Sequence, residues 1–186
     1  MTVLPSLGSL TLLPALDRPD LLAEPVARLF AGFPDVAAAT AVTEIDPAVS
    51  DTPTLVEVAG VPAEICANCV VVAGRRDGQE RIAACLVLAT TRVDVNGVVR
   101  RLLDVRKASF LPMERAVSET GMEYGGITPI GLPPTWRLLI DARVAAAERV
   151  LIGSGMRRSK LLLPGRTLAE LPAAEVIDGL AISVDG

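Results

Sequence analysis

Histidine is absent from all 186 residues of the chain. That absence excludes a Ser-His-Asp triad, a Cys-His nucleophile pair and every histidine-bound metal site. Lysine is nearly absent as well, with Lys107 and Lys160 the only two. Three cysteines, Cys66, Cys69 and Cys85, fall one short of the four thiolates an all-cysteine zinc site requires. Cys66-Ala-Asn-Cys69 has the spacing of a redox pair, but it leads into the apolar run Val70–Ala73 instead of a helix N-terminus that would stabilise a thiolate. Buried structural cysteines are therefore expected, with redox chemistry as the lesser alternative. No segment supplies the run of about 20 apolar residues that a membrane-spanning helix needs. The apolar start, Met1 to Leu16, has no basic leading region and is broken by Pro5 and Pro14, so a signal peptide is not predicted and a cytoplasmic location is the expectation. A net charge of −4 denies the chain the broadly basic surface of a general duplex-DNA binder. Its local basic clusters (Arg75–Arg76, Arg100–Arg101 with Arg106–Lys107, and Arg157–Arg158 with Lys160) read singly as solvated edges. Together they permit contact with a short nucleic-acid end.

What is present is apolar. Hydrophobic residues make up 51% of the chain, enough for a packed core and too many for a disordered one. The length fits one domain, able to bury roughly two-thirds of its unfolded surface. Residues 1–37 read as an irregular N-terminal extension carrying one amphipathic helix around Pro25–Phe30, and residues 38–180 as the core. Within that core Ala41–Ile45 reads as a strand. Ser50-Asp51 offers an N-cap for a helix over Thr52–Ala59 that Gly60 stops. Cys69–Ala73 and Ile82–Ala89 are continuous apolar runs joined by the turn-rich Gly74–Gln79, the pattern of a hairpin whose strands are covered on both faces. Helices over 94–103 and 112–120 follow, then short strands at 138–140, 149–152, 160–163 and 175–177. Strands and helices interleave without a steady βαβ alternation. The expected fold is therefore α+β, a mixed, partly closed β-barrel-like sheet flanked by helices.

One segment stands apart: Gly121-Met122-Glu123-Tyr124-Gly125-Gly126-Ile127-Thr128-Pro129-Ile130-Gly131-Leu132-Pro133. Its glycines let backbone N–H groups approach a ligand with no Cβ in the way, and its prolines stiffen the path and deny it ladder pairing. It is neither a phosphate-binding P-loop nor a dinucleotide fingerprint. On composition it is either an ordinary structural turn or a preorganised, backbone-built binding wall.

Gly125-Gly126-Ile127-Thr128-Pro129-Ile130-Gly131-Leu132, followed by Leu139-Ile140-Asp141 and by Val150-Leu151-Ile152-Gly153-Ser154-Gly155 with Lys160-Leu161, resembles the YbaK / prolyl-tRNA-synthetase-associated editing family. Gly125 and Pro129 match the Gly and Pro of that family's Gly-xxx-Pro loop. Upstream, Gly60-Val61-Pro62 and the Asn68–Ala73 strand fall in the same order. The resemblance covers roughly residues 40 to 180. It implies hydrolysis of the ester joining a wrong, small amino acid to the tRNA 3′ end, with alanine or cysteine on tRNA for proline as the typical target. It also implies no cofactor or metal. Backbone groups around Gly125, Gly126, Ile127, Thr128, Pro129 and Gly131 would hold the aminoacyl carbonyl and terminal ribose. This suits a chain without histidine, because an aminoacyl ester is already activated and positioning supplies much of the rate.

The chain departs from the family at its best-known side chain. A lysine belongs at the start of the strand after Gly-Val-Pro, and this sequence has Asn68 there. A charged hydrogen bond is worth roughly 1.5–3 kcal/mol against about 1 for a neutral one, so the exchange weakens activity by about one to two orders of magnitude. Lys160 is either a surface lysine at a sheet edge or a relocated catalytic lysine. Gly153 stands where some relatives carry a serine or histidine that touches substrate, and Ser154 follows it in the same turn. Asp141 either caps the helix after it or orients the substrate amino group. Arg157, Arg158 and Lys160 are candidates for the phosphates of the acceptor end. The resulting expectation is a trans-acting deacylase whose partner is the aminoacyl-tRNA acceptor end, with neither membrane nor DNA. The alternative is a non-catalytic protein of the same fold that recognises an aminoacyl-tRNA end, a nucleotide or an amino acid.

Overall fold

Hydrogen bonding divides the strands between two sheets that touch at one point and then part. The computed structural model describes residues 7–184. In chain order its strands are β1 (Leu13–Pro14), β2 (Ala41–Glu44), β3 (Ala67–Arg76), β4 (Gln79–Leu88), β5 (Thr91–Val93), β6 (Ala108–Phe110), β7 (Arg137–Asp141), β8 (Val150–Gly153), β9 (Ser159–Leu163), β10 (Ala174–Ile177) and β11 (Ala181–Ser183). The helices are α1 (Glu24–Gly32), α2 (Pro34–Ala38), α3 (Thr52–Ala59), α4 (Arg100–Leu102), α5 (Met113–Thr120), α6 (Ala142–Ala146) and α7 (Gly165–Ala169). One sheet has the order β1-β2-β9-β8 and the other β10-β7-β4-β3-β6; β5 and β11 form a separate ribbon. β7 runs parallel to both of its neighbours, and the remaining pairs are antiparallel. A lone parallel bridge between Cys66 and Leu151 joins the sheets just before β3 begins. The fold is thus the expected mixed α+β arrangement, and the barrel it approaches stays open.

The β3–β4 hairpin is the longest pairing, and its turn is shorter than the polar stretch in the sequence suggests. Arg76 pairs with Gln79, so only Asp77-Gly78 turns the chain. Both have positive φ, 52° and 79°, the geometry in which Asp-Gly matches the twist of the flanking strands. On the five-stranded sheet the side chains alternate between two buried faces. Ala84, Leu86, Leu138 and Ile140 pack toward the four-stranded sheet. Ala83, Cys85, Val87 and Leu139 pack on the other side against Val99, Leu103 and Leu180. That double coverage is why both strands of the hairpin read as continuous apolar runs.

The N-terminal segment is part of this core. Its first six residues lie outside the described part. From residue 7 onward, Leu12 and Phe30 are 1% and 3% exposed, and Leu21, Val26, Val36 and Ala37 are buried with them. Leu13 and Pro14 pair with β2, and Gly131 of the glycine-rich loop sits so close to Pro25 that a Cβ would lie 2.4 Å from its carbonyl oxygen. The segment expected to be an extension therefore backs the four-stranded sheet and the loop. Phe30→Ala is expected to destabilise the whole domain by about 3–5 kcal/mol, the cost of emptying a buried aromatic site. A single cooperative thermal transition at lower temperature, followed by circular dichroism, is the outcome to look for; an unchanged melting temperature would mean the segment is peripheral.

Candidate functional site

Where the sheets part, β3 and the β8–β9 turn face each other, and the Gly121–Pro133 loop covers the gap. The resulting cavity is about 200 Å³. Ala67, Asn68 and Cys69 of β3 form one wall, Gly153 and Lys160 another, and Tyr124, Gly125 and Ile127 of the loop the third. Five of the residues singled out from the sequence therefore meet here: Asn68, Gly125, Ile127, Gly153 and Lys160.

The loop is held by contacts between backbones. Gly155 N–H donates to the Gly126 carbonyl at 2.8 Å, and Glu123 N–H to the Gly155 carbonyl at 2.9 Å. A Cβ on Gly153 would lie 2.3 Å from the Gly126 oxygen, and a Cβ on Gly126 would lie 2.7 Å from the backbone of Met156. Gly125 takes φ +81°, a conformation side-chain-bearing residues rarely adopt. Gly153 is thus required by close approach, and the space a serine or histidine would occupy is filled by the loop itself. Gly125 and Ile127 both line the cavity, and among the described residues their N–H groups have no hydrogen-bond partner. Arg157 braces the same loop: its side chain donates to the carbonyls of Tyr124 at 3.3 Å and Pro47 at 3.1 Å, and its N–H to Glu123 Oε2 at 2.6 Å.

The polar groups of the pocket converge on the start of α3. Asp51 caps that helix, accepting from Thr54 N–H at 3.1 Å, and Gly60 ends it at φ +65°, as the sequence signals predict. The residues flanking the cap reach into the site. Thr52 Oγ1 donates to Asn68 Oδ1 at 2.9 Å, which turns the two N–H donors of Asn68 to other partners. Lys160 Nζ donates to the Ser50 carbonyl at 2.7 Å. Lys160 is 8% exposed and lies on β9, which is paired on both sides by β2 and β8. It is neither at a sheet edge nor on the surface, and burial removes it from the set of candidate phosphate contacts.

Other expected site residues lie elsewhere. Asp141 is 1% exposed and belongs to the helix cap, outside the pocket. Its carboxylate accepts from Arg143 N–H, the Arg143 guanidinium and Ala181 N–H, so no oxygen is left for a substrate amine. Burial alone would raise its pKa, but those donors outweigh it and hold the group below its ordinary value. Ser154 is fully buried, its hydroxyl 2.7 Å from that of Ser159 and also accepting from Met156 N–H; it shapes the turn and does not reach the cavity. Thr128 is fully buried behind the loop, with Oγ1 unpartnered. Pro129 and Gly131 line a different, proline-rich cavity beside Trp136. Arg158 reaches the Asp20 carbonyl at 2.6 Å and Glu44 at 3.5 Å, away from the pocket wall. Burial pushes the Cys66 thiol up to about 11 and Cys85 to about 12, and raises Cys69 too, so the thiolate that redox exchange requires is disfavoured. Tyr124 is the lining residue that sequence reasoning passed over. It is the chain's single tyrosine, 58% exposed, and the one aromatic residue of the Gly121–Pro133 loop.

Asp141→Ala is expected to lower stability by about 2–4 kcal/mol through its unsatisfied buried partners while leaving ligand affinity unchanged. Because the folded pKa is depressed, the wild-type contribution is present above the unfolded value near 4 and is lost as the pH falls through the folded one. Chemical denaturation at pH 7 and pH 3 should therefore separate variant from wild type more at the higher pH than at the lower. Gly153→Ser should lower both stability and pocket integrity, and a serine there that improved substrate handling would contradict the packing described.

A family model for the aminoacyl-tRNA editing domain matches residues 46–171, more than half of the chain. Two solved structures share the fold. One is a crystal structure of a candidate trans-editing enzyme for prolyl-tRNA synthetase, at 20% identity and TM-score 0.68, covering 84% of this chain and 97% of that one. The other is a crystal structure of a hypothetical protein, at 19% identity and TM-score 0.72, covering 86% of this chain and all of that one. The fold that carries the cavity is thus that of a known domain type, and the chain belongs to the YbaK-type aminoacyl-tRNA editing domain family.

Proposed function

We propose that this chain is a trans-acting aminoacyl-tRNA deacylase that hydrolyses the ester of a small amino acid mischarged on tRNA, of the prolyl type. One observation carries the proposal: Gly125 and Ile127, whose backbone N–H groups are unpartnered among the described residues, line a cavity of about 200 Å³ together with Asn68 and Lys160. Donors fixed at the place where an ester carbonyl gains charge are the main requirement for hydrolysing an activated acyl group. No side-chain nucleophile is needed, and a water molecule is the acceptor of the acyl group. The cavity is small and its loop is bonded in place, so larger amino acids are excluded by shape, the logic of a second sieve.

Tyr124 extends the site toward the nucleic acid. An exposed ring at the rim offers a stacking surface for the unpaired base at the tRNA 3′ end, an interaction worth about 1–3 kcal/mol. Arg157 lies next to it, with two of its guanidinium N–H groups on carbonyls and others free to meet a phosphate. Arg158, farther along the same turn, is the second candidate for the acceptor-end backbone.

One competing reading rests on the sequence resemblance. It puts Asn68 at the family's lysine position, so a non-catalytic protein that binds the aminoacyl-tRNA end, a nucleotide or an amino acid would keep the same cavity. The test is incubation with a panel of mischarged tRNAs, including alanyl and cysteinyl esters of tRNA for proline, with loss of ester followed over time. Hydrolysis of a small-residue ester with the prolyl ester spared is the expected result. No loss above buffer across the panel would overturn the enzyme reading, and binding of the charged end in that case would favour the competitor. Tyr124→Ala is expected to raise KM about tenfold with kcat little changed.

A further inference from the structure

Lys160 is the one lysine of the pair that the fold buries; Lys107 is exposed. Burying an ammonium is unfavourable unless a charge partner or a full set of acceptors compensates it. Here its hydrogen bond goes to a neutral acceptor, the Ser50 carbonyl at 2.7 Å, and Asp51 acts on it only through space. An ammonium carries three donors, so after Ser50 two remain. Across β8 its register partner is Gly153, which has no side chain to cover it, and both residues line the cavity. The structure therefore keeps an incompletely compensated cation at the wall of a pocket that it shares with the uncharged amide side chain of Asn68.

Resting on the deacylase reading, we propose that Lys160 is the charged donor to the ester in this pocket, and that this role sits on β9 instead of at the start of β3. In the step it assists, a water oxygen adds to the ester carbonyl carbon and the displaced electron pair moves onto the carbonyl oxygen, beside the ammonium. Collapse of that adduct breaks the bond to the ribose oxygen, which takes up the proton given by the water. The ammonium keeps its own proton throughout. Its charge also sets the direction in which substrate enters: the α-ammonium of an aminoacyl ester is repelled from Lys160, so the carbonyl and ribose oxygens face it.

The ionisation of Lys160 gives this a pH signature. Burial lowers its pKa from the ordinary lysine value; Cys66 and Asp51 oppose that shift and Arg157 adds to it. Charge is accordingly lost as pH rises through the lowered value, and kcat/KM should fall with it in the wild type.

The experiment compares wild type with Lys160→Gln, Lys160→Arg and the double variant Asn68→Lys/Lys160→Gln on the best ester of the panel, over a pH series. Lys160→Gln should reduce kcat/KM by about ten- to a thousandfold, the range for losing one donor to a developing oxyanion. Lys160→Arg should retain more activity than Lys160→Gln and lose the alkaline decline. The double variant, which returns the charge to β3, should recover a large part of the loss. Lys160→Gln within twofold of wild type, or Lys160→Arg no better than Lys160→Gln with both natively folded by circular dichroism, would overturn the proposal. An inert wild type would overturn the deacylase reading by itself. Affinity for a non-hydrolysable, amide-linked aminoacyl adenosine then decides the lysine: a tenfold loss in Lys160→Gln sustains its donor role, and unchanged affinity ends it.

Discussion

The site depends on a backbone-to-backbone contact that tolerates no Cβ. Gly126 and Gly153 approach until the oxygen of one occupies the space a side chain on the other would need, and Gly155 N–H closes the contact on the Gly126 carbonyl. Everything the loop offers follows from that seat. It accompanies the positive φ of Gly125, places Gly125 and Ile127 in the cavity wall, and carries Tyr124 to the rim. The N-terminal segment supports the same seat from behind, through Pro25 against Gly131 and Ala23 against Gly155. The loop's rigidity is thus a product of close packing on both of its faces, and its prolines only limit the alternatives.

Electrostatics in the pocket is economical. The chain as a whole is acidic, yet Lys160 lines the cavity and, among the described residues, no carboxylate does. Because Lys160 is buried, its charge is less screened than a surface charge and acts more strongly on whatever charge develops within reach. The same physics disfavours the thiolate at all three cysteines, because burial that leaves an ammonium partly uncompensated also favours their protonated form.

Much of this was legible in the sequence. The Gly121–Pro133 loop, the capped α3 and the β3–β4 hairpin carry strong local signals, in positive-φ glycines, an Asp cap and β-branched runs, and the structure follows them. The positions of Asn68, Gly125 and Lys160 around one cavity came from the order of motifs along the chain. What failed was anything set by tertiary closure. Lys160 reads as a surface residue because lysine usually is one, and only the pairing of β9 on both sides buries it. Asp141 and Ser154 carry the right chemistry for a site but spend it on the cap and the turn. The three-residue strands β5 and β11 are too short to show an alternation, and residues 7–37 look irregular because their apolar positions answer to a sheet far away in sequence.

Ser50, Asp51 and Thr52 are consecutive, and the chain uses each differently: a carbonyl for Lys160, a carboxylate for the helix cap, a hydroxyl for Asn68. The two side chains so tethered come from different sheets, at the point where those sheets separate. Without a common anchor, any change in the angle between the sheets would alter the spacing of the two donors. Tied to one turn, they keep their relative position with respect to each other even if the surrounding framework drifts. The cap of α3 thereby serves as a gauge block for the pocket, and sequence changes that reshape either sheet can accumulate without resetting the distance between its polar groups.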